Sequence, residues 1–256
     1  YWNASKEMPG ANARYLKISL TSGSSQSVVD FNHSVEATDL GTLGAISLYP
    51  PAGTVATAAD LDEAIVSFIA GCRWGTGMSS GGGNDFNGCV DRTQVVDGLT
   101  QADRLGDIFH SNPIVVGAPN AFIPEVSYTQ FAALSNVVHR DRVIMAGAND
   151  GFFHGFLAGE WQTTPAPAHY DVGTGEEVFG FMPWGARSKI AALAKKDAAG
   201  HTKSVDGSPS VADVWIDDDT DPTDAKESDE WKTVMITGMR EGGEHYLALD
   251  VTDPAS

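Results

Sequence analysis

Three residues, Asn149-Asp150-Gly151, stand between two strand-like runs at 142–148 and 152–156, and they restrict the fold more than any other stretch. The segment Arg142-Val-Ile-Met-Ala-Gly-Ala-Asn-Asp-Gly-Phe-Phe-His-Gly-Phe156 reads as strand, tight turn, strand, because Asn, Asp and Gly tolerate the positive φ that a hairpin turn demands. Comparable units follow. Ser204-Val-Asp-Gly-Ser-Pro-Ser-Val-Ala-Asp213 is a turn running into a strand, residues 231–238 form another strand, and His245-Tyr-Leu-Ala-Leu-Asp-Val-Thr-Asp-Pro254 is a strand that stops at a proline. Strand-turn-strand units in series, rich in glycine and aromatics, predict an all-β fold of the propeller type with one or two short helices.

The 256 residues are 42% hydrophobic, enough for a packed core, and the 28 glycines and 12 prolines fall largely between apolar runs, as many short strands require. A net charge of −18 repels phosphate backbones and anionic lipid headgroups, so nucleic acid is excluded as a partner. The same charge attracts divalent cations or a basic partner, or serves solubility alone. The longest apolar stretch, near 64–70, falls far short of the ~20 residues of a membrane span. The chain starts at Tyr1 without a signal-like segment and stops within what reads as a repeat unit, so a processed product or a piece of a longer polypeptide is expected. On this division, 1–104 is an N-terminal propeller segment with a helix at 60–70 and a cysteine loop at 72–89, and 105–256 holds the blades of an incomplete ring.

Cys72 and Cys89 are the only cysteines, and neither belongs to a Cys-x-x-Cys or Cys-x-x-Cys-His pattern, which argues against a redox pair, a zinc ribbon and c-type haem. They are a disulfide or two separate thiols. A disulfide is the expectation, adding roughly 3 kcal/mol by loop entropy and implying an oxidising, exported compartment.

Residues 14–20 alternate polar and apolar and can pair with 28–31 as a hairpin. Leu61, Ile65, Phe68 and Ile69 share one face of a helix that stops at Gly71. A flexible surface loop is expected at 71–88; within it Gly77-Met-Ser-Ser-Gly81 matches a nucleophile elbow formally but lacks the strand-to-helix setting that chemistry needs. Asp107, His110 and Ser111 have the letters of a catalytic triad, yet residues three apart on an extended strand face opposite ways. Asp107 and His110 are instead expected to bond backbone groups where one blade hands over to the next. Residues 159–171 read as a surface insertion and 188–196 as a short helix.

The dense carboxylate run Asp217-Asp-Asp-Thr-Asp-Pro-Thr-Asp224 is either a solvated hairpin tip or a calcium site with Asp217, Asp219 and Asp221 as oxygen ligands. Pro222 and Ser228 stand where a calcium loop of the EF-hand kind wants Gly and Glu. Asp85, Asn87 and Asp91 make a second, poorer candidate. Asn3-Ala-Ser5 and Asn32-His-Ser34 match the glycosylation pattern, which matters only in a pathway that reads it.

Leu105-Gly-Asp-Ile-Phe-His-Ser-Asn-Pro113, Ala146-Gly-Ala-Asn-Asp-Gly-Phe-Phe-His154, Gly173-Thr-Gly-Glu-Glu-Val-Phe-Gly-Phe-Met-Pro183, Val205-Asp-Gly-Ser-Pro209 and Tyr246-Leu-Ala-Leu-Asp-Val-Thr-Asp-Pro254 together resemble, in order, the motifs of the PilY family of the type IV pilus system. Trp2 and residues 14–20 resemble the start of that family's propeller, and 64–71 the helix before its Leu-Gly-Asp-Ile motif. The resemblance implies an exported cell-surface or pilus-tip protein, reached through the periplasm, that contacts pilus or filament subunits such as minor pilins and acts in assembly and adhesion. It also implies a quinoprotein-dehydrogenase-like propeller with a calcium loop, completed by further blades of the same or a partner chain. Three departures stand out. Phe156-Leu157-Ala158 replaces the family's Phe-Asp-Ala, the family's calcium loop lies past residue 256, and its N-terminal adhesion module is not among these residues.

A non-enzymatic assembly or adhesion module is therefore the first expectation. A quinoprotein-type dehydrogenase is the alternative on blade motifs alone, although no adjacent-cysteine pair suits quinone stacking. A surface adhesin or structural subunit with no assembly role is a third.

Overall fold

A computed structural model describes residues 2–20, 27–35, 40, 49, 58–78, 86–195, 200–217 and 225–255. Asn3 caps the short helix α1 (Ala4–Glu7), its Oδ1 accepting from the Ser5 backbone N–H. The alternation at 14–20 becomes β1 (Leu16–Ser19), antiparallel to β2 (Val28–Asp30) with Ile18 opposite Val29. Helix α2 (Ala58–Ala70) buries Leu61, Ile65 and Ile69 on the expected face. It ends at Gly71, whose φ of +118° needs a residue without Cβ.

Cys72 and Cys89 are disulfide-bonded, with Cα atoms 5.4 Å apart. The described ends of that loop are packed rather than free: Cys72, Trp74 and Phe86 are buried, and Arg73 N–H donates to Val90 C=O at 2.6 Å. Trp74, four residues past the end of α2, and Phe86 hold core positions within a stretch whose glycines suggest solvent. Ser79, Asp85 and the rest of 79–85 lie outside the described residues. The hairpin β3 (Thr93–Val96) and β4 (Leu99–Ala102) follows, its turn formed by Asp97 and Gly98 at positive φ.

The principal sheet is a meander. Strands β5 (Ile114–Val116), β6 (Arg142–Gly147), β7 (Phe153–Gly159) and β10 (Glu177–Met182) run antiparallel in spatial order, a four-stranded blade. The insertion at 159–171 is a small hairpin, β8 (Trp161–Gln162) and β9 (His169–Tyr170). On the blade's far edge β1 adds to β10 in parallel, Leu16 opposite Gly180, so the N-terminal hairpin completes the order β2-β1-β10-β7-β6-β5. The second sheet is β11 (Ser210–Trp215), β12 (Trp231–Gly238) and β13 (Tyr246–Asp250), with Met235 opposite both Val211 and Leu249. β7 is buried on both faces from Phe153 to Leu157, as an inner strand should be, whereas β12 alternates.

Between these strands lie helices α3 (Val126–Ala133), α4 (Ser135–Val138) and α5 (Ile190–Leu193). The described residues thus hold more helical segments than the expected one or two short helices. Only α2 and α5 carry a helical signal in the sequence. α3 buries Ser127, Tyr128 and Phe131 against Trp231, whose indole N–H donates to Ser127 Oγ at 3.0 Å. The fold is a mostly-β partial propeller, and no helix among the described residues is long and apolar enough to cross a membrane.

Candidate functional site

The Asn149-Asp150-Gly151 turn sits at the tip between β6 and β7, as its residues predict, with Gly151 at φ +108°. It is also where three loops meet. Asp150 Oδ2 accepts from Gly106 N–H at 2.8 Å and its Oδ1 from Phe152 N–H at 3.0 Å. Asn149 donates from Nδ2 to Asp107 Oδ2 at 2.8 Å and accepts at Oδ1 from Ser204 N–H at 3.0 Å. The approach requires glycine at 106, since a Cβ there would lie 2.4 Å from the Asp150 nitrogen.

Asp107 and His110 do not act as expected. Across the junction their side chains meet other side chains: Asp107 Oδ1 pairs with His201 Nε2 at 2.8 Å, and His110 Nδ1 with Asp206 Oδ2 at 2.6 Å. The reason is chain path, because the 201–208 segment lies directly against the 107–112 loop and offers acids and imidazoles at those positions. Ser111 takes the backbone role, its Oγ accepting from Gly147 N–H at 3.0 Å. Each residue of the triad-like set therefore has a different partner.

Behind the turn lies a buried charge network that sequence reasoning missed. Arg14 forks onto Glu177 with Nε to Oε2 at 2.5 Å and Nη2 to Oε1 at 2.7 Å, while its Nη1 donates to the Ala70 carbonyl at 2.8 Å. His154 donates from Nδ1 to Glu177 Oε1 at 2.7 Å and from Nε2 to the Asp150 carboxylate at 3.1 Å. Arg14, His154 and Glu177 side chains are wholly shielded from solvent. Burial alone would strip the His154 charge, yet the Asp150 and Glu177 carboxylates outweigh it and push its pKa up to about 9. Burial likewise opposes the Glu177 anion, but Arg14 and then His154 hold it down to about 2. Asp150 is lowered too, burial being overcome by His154 and by the Gly106 and Phe152 N–H groups. Two cations thus balance two anions. The signal in the sequence was a histidine inside the apolar run of β7, His154, whereas Glu177, the first residue of β10 and next to Glu176, carries no such mark.

This set joins β1, β7, β10, the end of α2 and the 149–151 turn, and it is closed to any substrate. Its chemistry is that of a lock. A second polar layer ties the two sheets: Arg140 donates from Nη1 to Thr233 Oγ1 at 2.8 Å and from Nε to Gly117 C=O at 2.6 Å, beside Tyr128, which donates to Asp213 Oδ2 at 2.7 Å. Burial first, then Asp213, raises the Tyr128 phenol to about 12. Of the expected calcium ligands, Asp217 is half-buried just beyond β11, and Asp219 and Asp221 lie outside the described residues. From the poorer set, Asp91 pairs with Arg104 at 3.4 Å and accepts from Ala11 N–H. Among the described residues, His110, Asp206 and Glu241 offer ligand atoms within 4.8 Å of one another.

A family model described as the PilY1 beta-propeller domain matches residues 105–256. The type IV pilus biogenesis factor PilY1 homolog of Xylella fastidiosa is 33% identical over 159 residues, covering 59% of this chain and 11% of the relative. The type IV pilus biogenesis factor PilY1 of Pseudomonas aeruginosa is 32% identical over 166 residues, covering 61% of this chain and 12% of the relative. The chain thus spans about a ninth of the length of these curated relatives. No solved structure matches the chain.

Proposed function

The chain belongs to the PilY1 β-propeller family, and on that premise we propose that it serves as the propeller region of a type IV pilus biogenesis factor, a non-enzymatic module that contacts pilus subunits. The observation that carries this reading is the family match over 105–256, the stretch that holds the blade and the Asn149–Ser204 contact at its turn. The disulfide between Cys72 and Cys89 supports export through an oxidising compartment to the cell surface. In the same reading the protein sits at the pilus tip and contributes to adhesion, and calcium bound at Asp217, Asp219 and Asp221 tunes it. The shielded Arg14–Glu177–His154 set favours a scaffold over a dehydrogenase, because the strongest charges near the junction are spent on one another.

Deleting the chain's coding region in its own host tests this. Surface pili, counted by electron microscopy, should disappear and return on complementation. Normal piliation with lost attachment would replace the proposal by a plain adhesin, and turnover of an alcohol or sugar with an artificial electron acceptor would replace it by an oxidoreductase.

A further inference from the structure

Beside the junction lies a donor set distinct from the acidic run at 217–224. His110 belongs to the loop before β5, Asp206 to the turn before β11, and Glu241 to the 3-10 turn Arg240–Gly242 between β12 and β13. Two of these turns are pressed together: a Cβ at Gly242 would stand 1.5 Å from the Ser204 carbonyl oxygen, so only glycine lets Glu241 come alongside Asp206. The three offer ligand atoms within 4.8 Å of one another.

Asp206 is the informative member. Its side chain is fully shielded, its Oδ2 is bonded by His110, and its Oδ1 has no hydrogen-bond partner among the described residues. A buried carboxylate oxygen left without a donor keeps its full desolvation penalty, so a built site should supply something to it. Nearby cations do not. Lys203 bonds the exposed Glu241 carboxylate, and Arg240 stays 3.8 Å from Asp206, on the Oδ2 side that His110 already occupies.

We propose that His110, Asp206 and Glu241 form a binding site for a divalent transition metal of the zinc class. One imidazole nitrogen and two carboxylates are three protein ligands with a coordination position left for water, a set zinc accepts. Calcium takes 6–8 oxygens and fits an imidazole-bearing triad poorly. On binding, the proton in the His110–Asp206 hydrogen bond would leave to solvent as the metal takes its place, and Lys203 would be freed from Glu241. Glu241 and His110 are exposed enough to move, while Asp206 is fixed. The ion would staple the entry of the first blade to two loops of the second.

The test uses the protein stripped with chelator and titrated with zinc or calcium chloride, read by calorimetry and thermal melting. Zinc should bind one per chain and raise the melting temperature. Glu241→Gln and His110→Gln should each weaken zinc by on the order of tenfold or more; metal-free melting should be little changed in Glu241→Gln, whose side chain is exposed, while His110→Gln, which removes the imidazole from buried Asp206, is compared with its own metal-free melt. Lys203→Met should tighten it by removing the competing cation. Calcium heats, whatever their size, should be the same in Glu241→Gln. Absence of zinc binding, or zinc binding that neither variant weakens, overturns the proposal.

Discussion

His154 shows how a strand position that reads as apolar can hold a charge. Flanked by Phe153 and the Phe156 ring 5.7 Å away, it keeps its proton because carboxylates stand at both ring nitrogens. Removing a partner from a buried set costs more than the set contributes, since the remaining charges stay behind without compensation. His154→Gln leaves two buried anions against Arg14 alone, and denaturant unfolding should show a loss of about 3–5 kcal/mol. The pH dependence follows from the directions of the shifts. His154 is raised from 6.5 to about 9, so its contribution is complete below pH 6.5 and is lost as pH climbs through 9. Glu177 is lowered from 4.5 to about 2, so its contribution is complete above pH 4.5 and is lost as pH falls towards 2. Stability should therefore peak between about 4.5 and 6.5. The glutamine variant should lose the decline between 6.5 and 9 while keeping the acid one; an alkaline slope equal to wild type would show that His154 is neutral in the fold.

At the level of elements, α2 and the segment that follows it hang on one covalent tie. The Cys72–Cys89 bond closes a 17-residue separation beside the backbone bond from Arg73 to Val90. Replacing both cysteines by serine should lower stability by about 3 kcal/mol in the loop-entropy account, read as a fall in melting temperature that reducing agent reproduces in wild type only. Elements such as the hairpin at Asn149-Asp150-Gly151, the alternating β12 and the apolar stripe of α2 were legible because each carries its signal within a dozen residues. α3 was not, since Val126, Tyr128, Thr129 and Phe131 suit a strand as well as a helix, and packing on Trp231 decided the matter. The parallel pairing of β1 with β10 and the Arg14–Glu177 fork, whose residues stand 163 apart in sequence, join distant segments, and no local pattern marks such partners. The same limit hid the convergence of His110, Asp206 and Glu241: each looked like an ordinary loop residue until three turns were folded against one another.

For the whole molecule the balance of charge matters in two separate ways. A net charge of −18 is spread over the surface, where self-repulsion opposes the compact state. The reach of that repulsion shrinks from about 30 Å at 0.01 M salt to about 8 Å at 0.15 M. The melting temperature should accordingly rise as sodium chloride is raised over that range. Exposed pairs such as Lys17–Asp30, with Asp30 62% accessible, weaken over the same range, but their contribution is small. The buried four-charge set behaves differently, because water and ions do not reach Arg14, Glu177 or His154. The stability gap between wild type and His154→Gln should then be the same at 0.01 M and 0.15 M salt while both proteins shift upward together. A gap that closes with salt would mean that solvent enters the network, and the junction would have to be a hydrated surface cluster rather than the lock that joins the N-terminal hairpin to the blade.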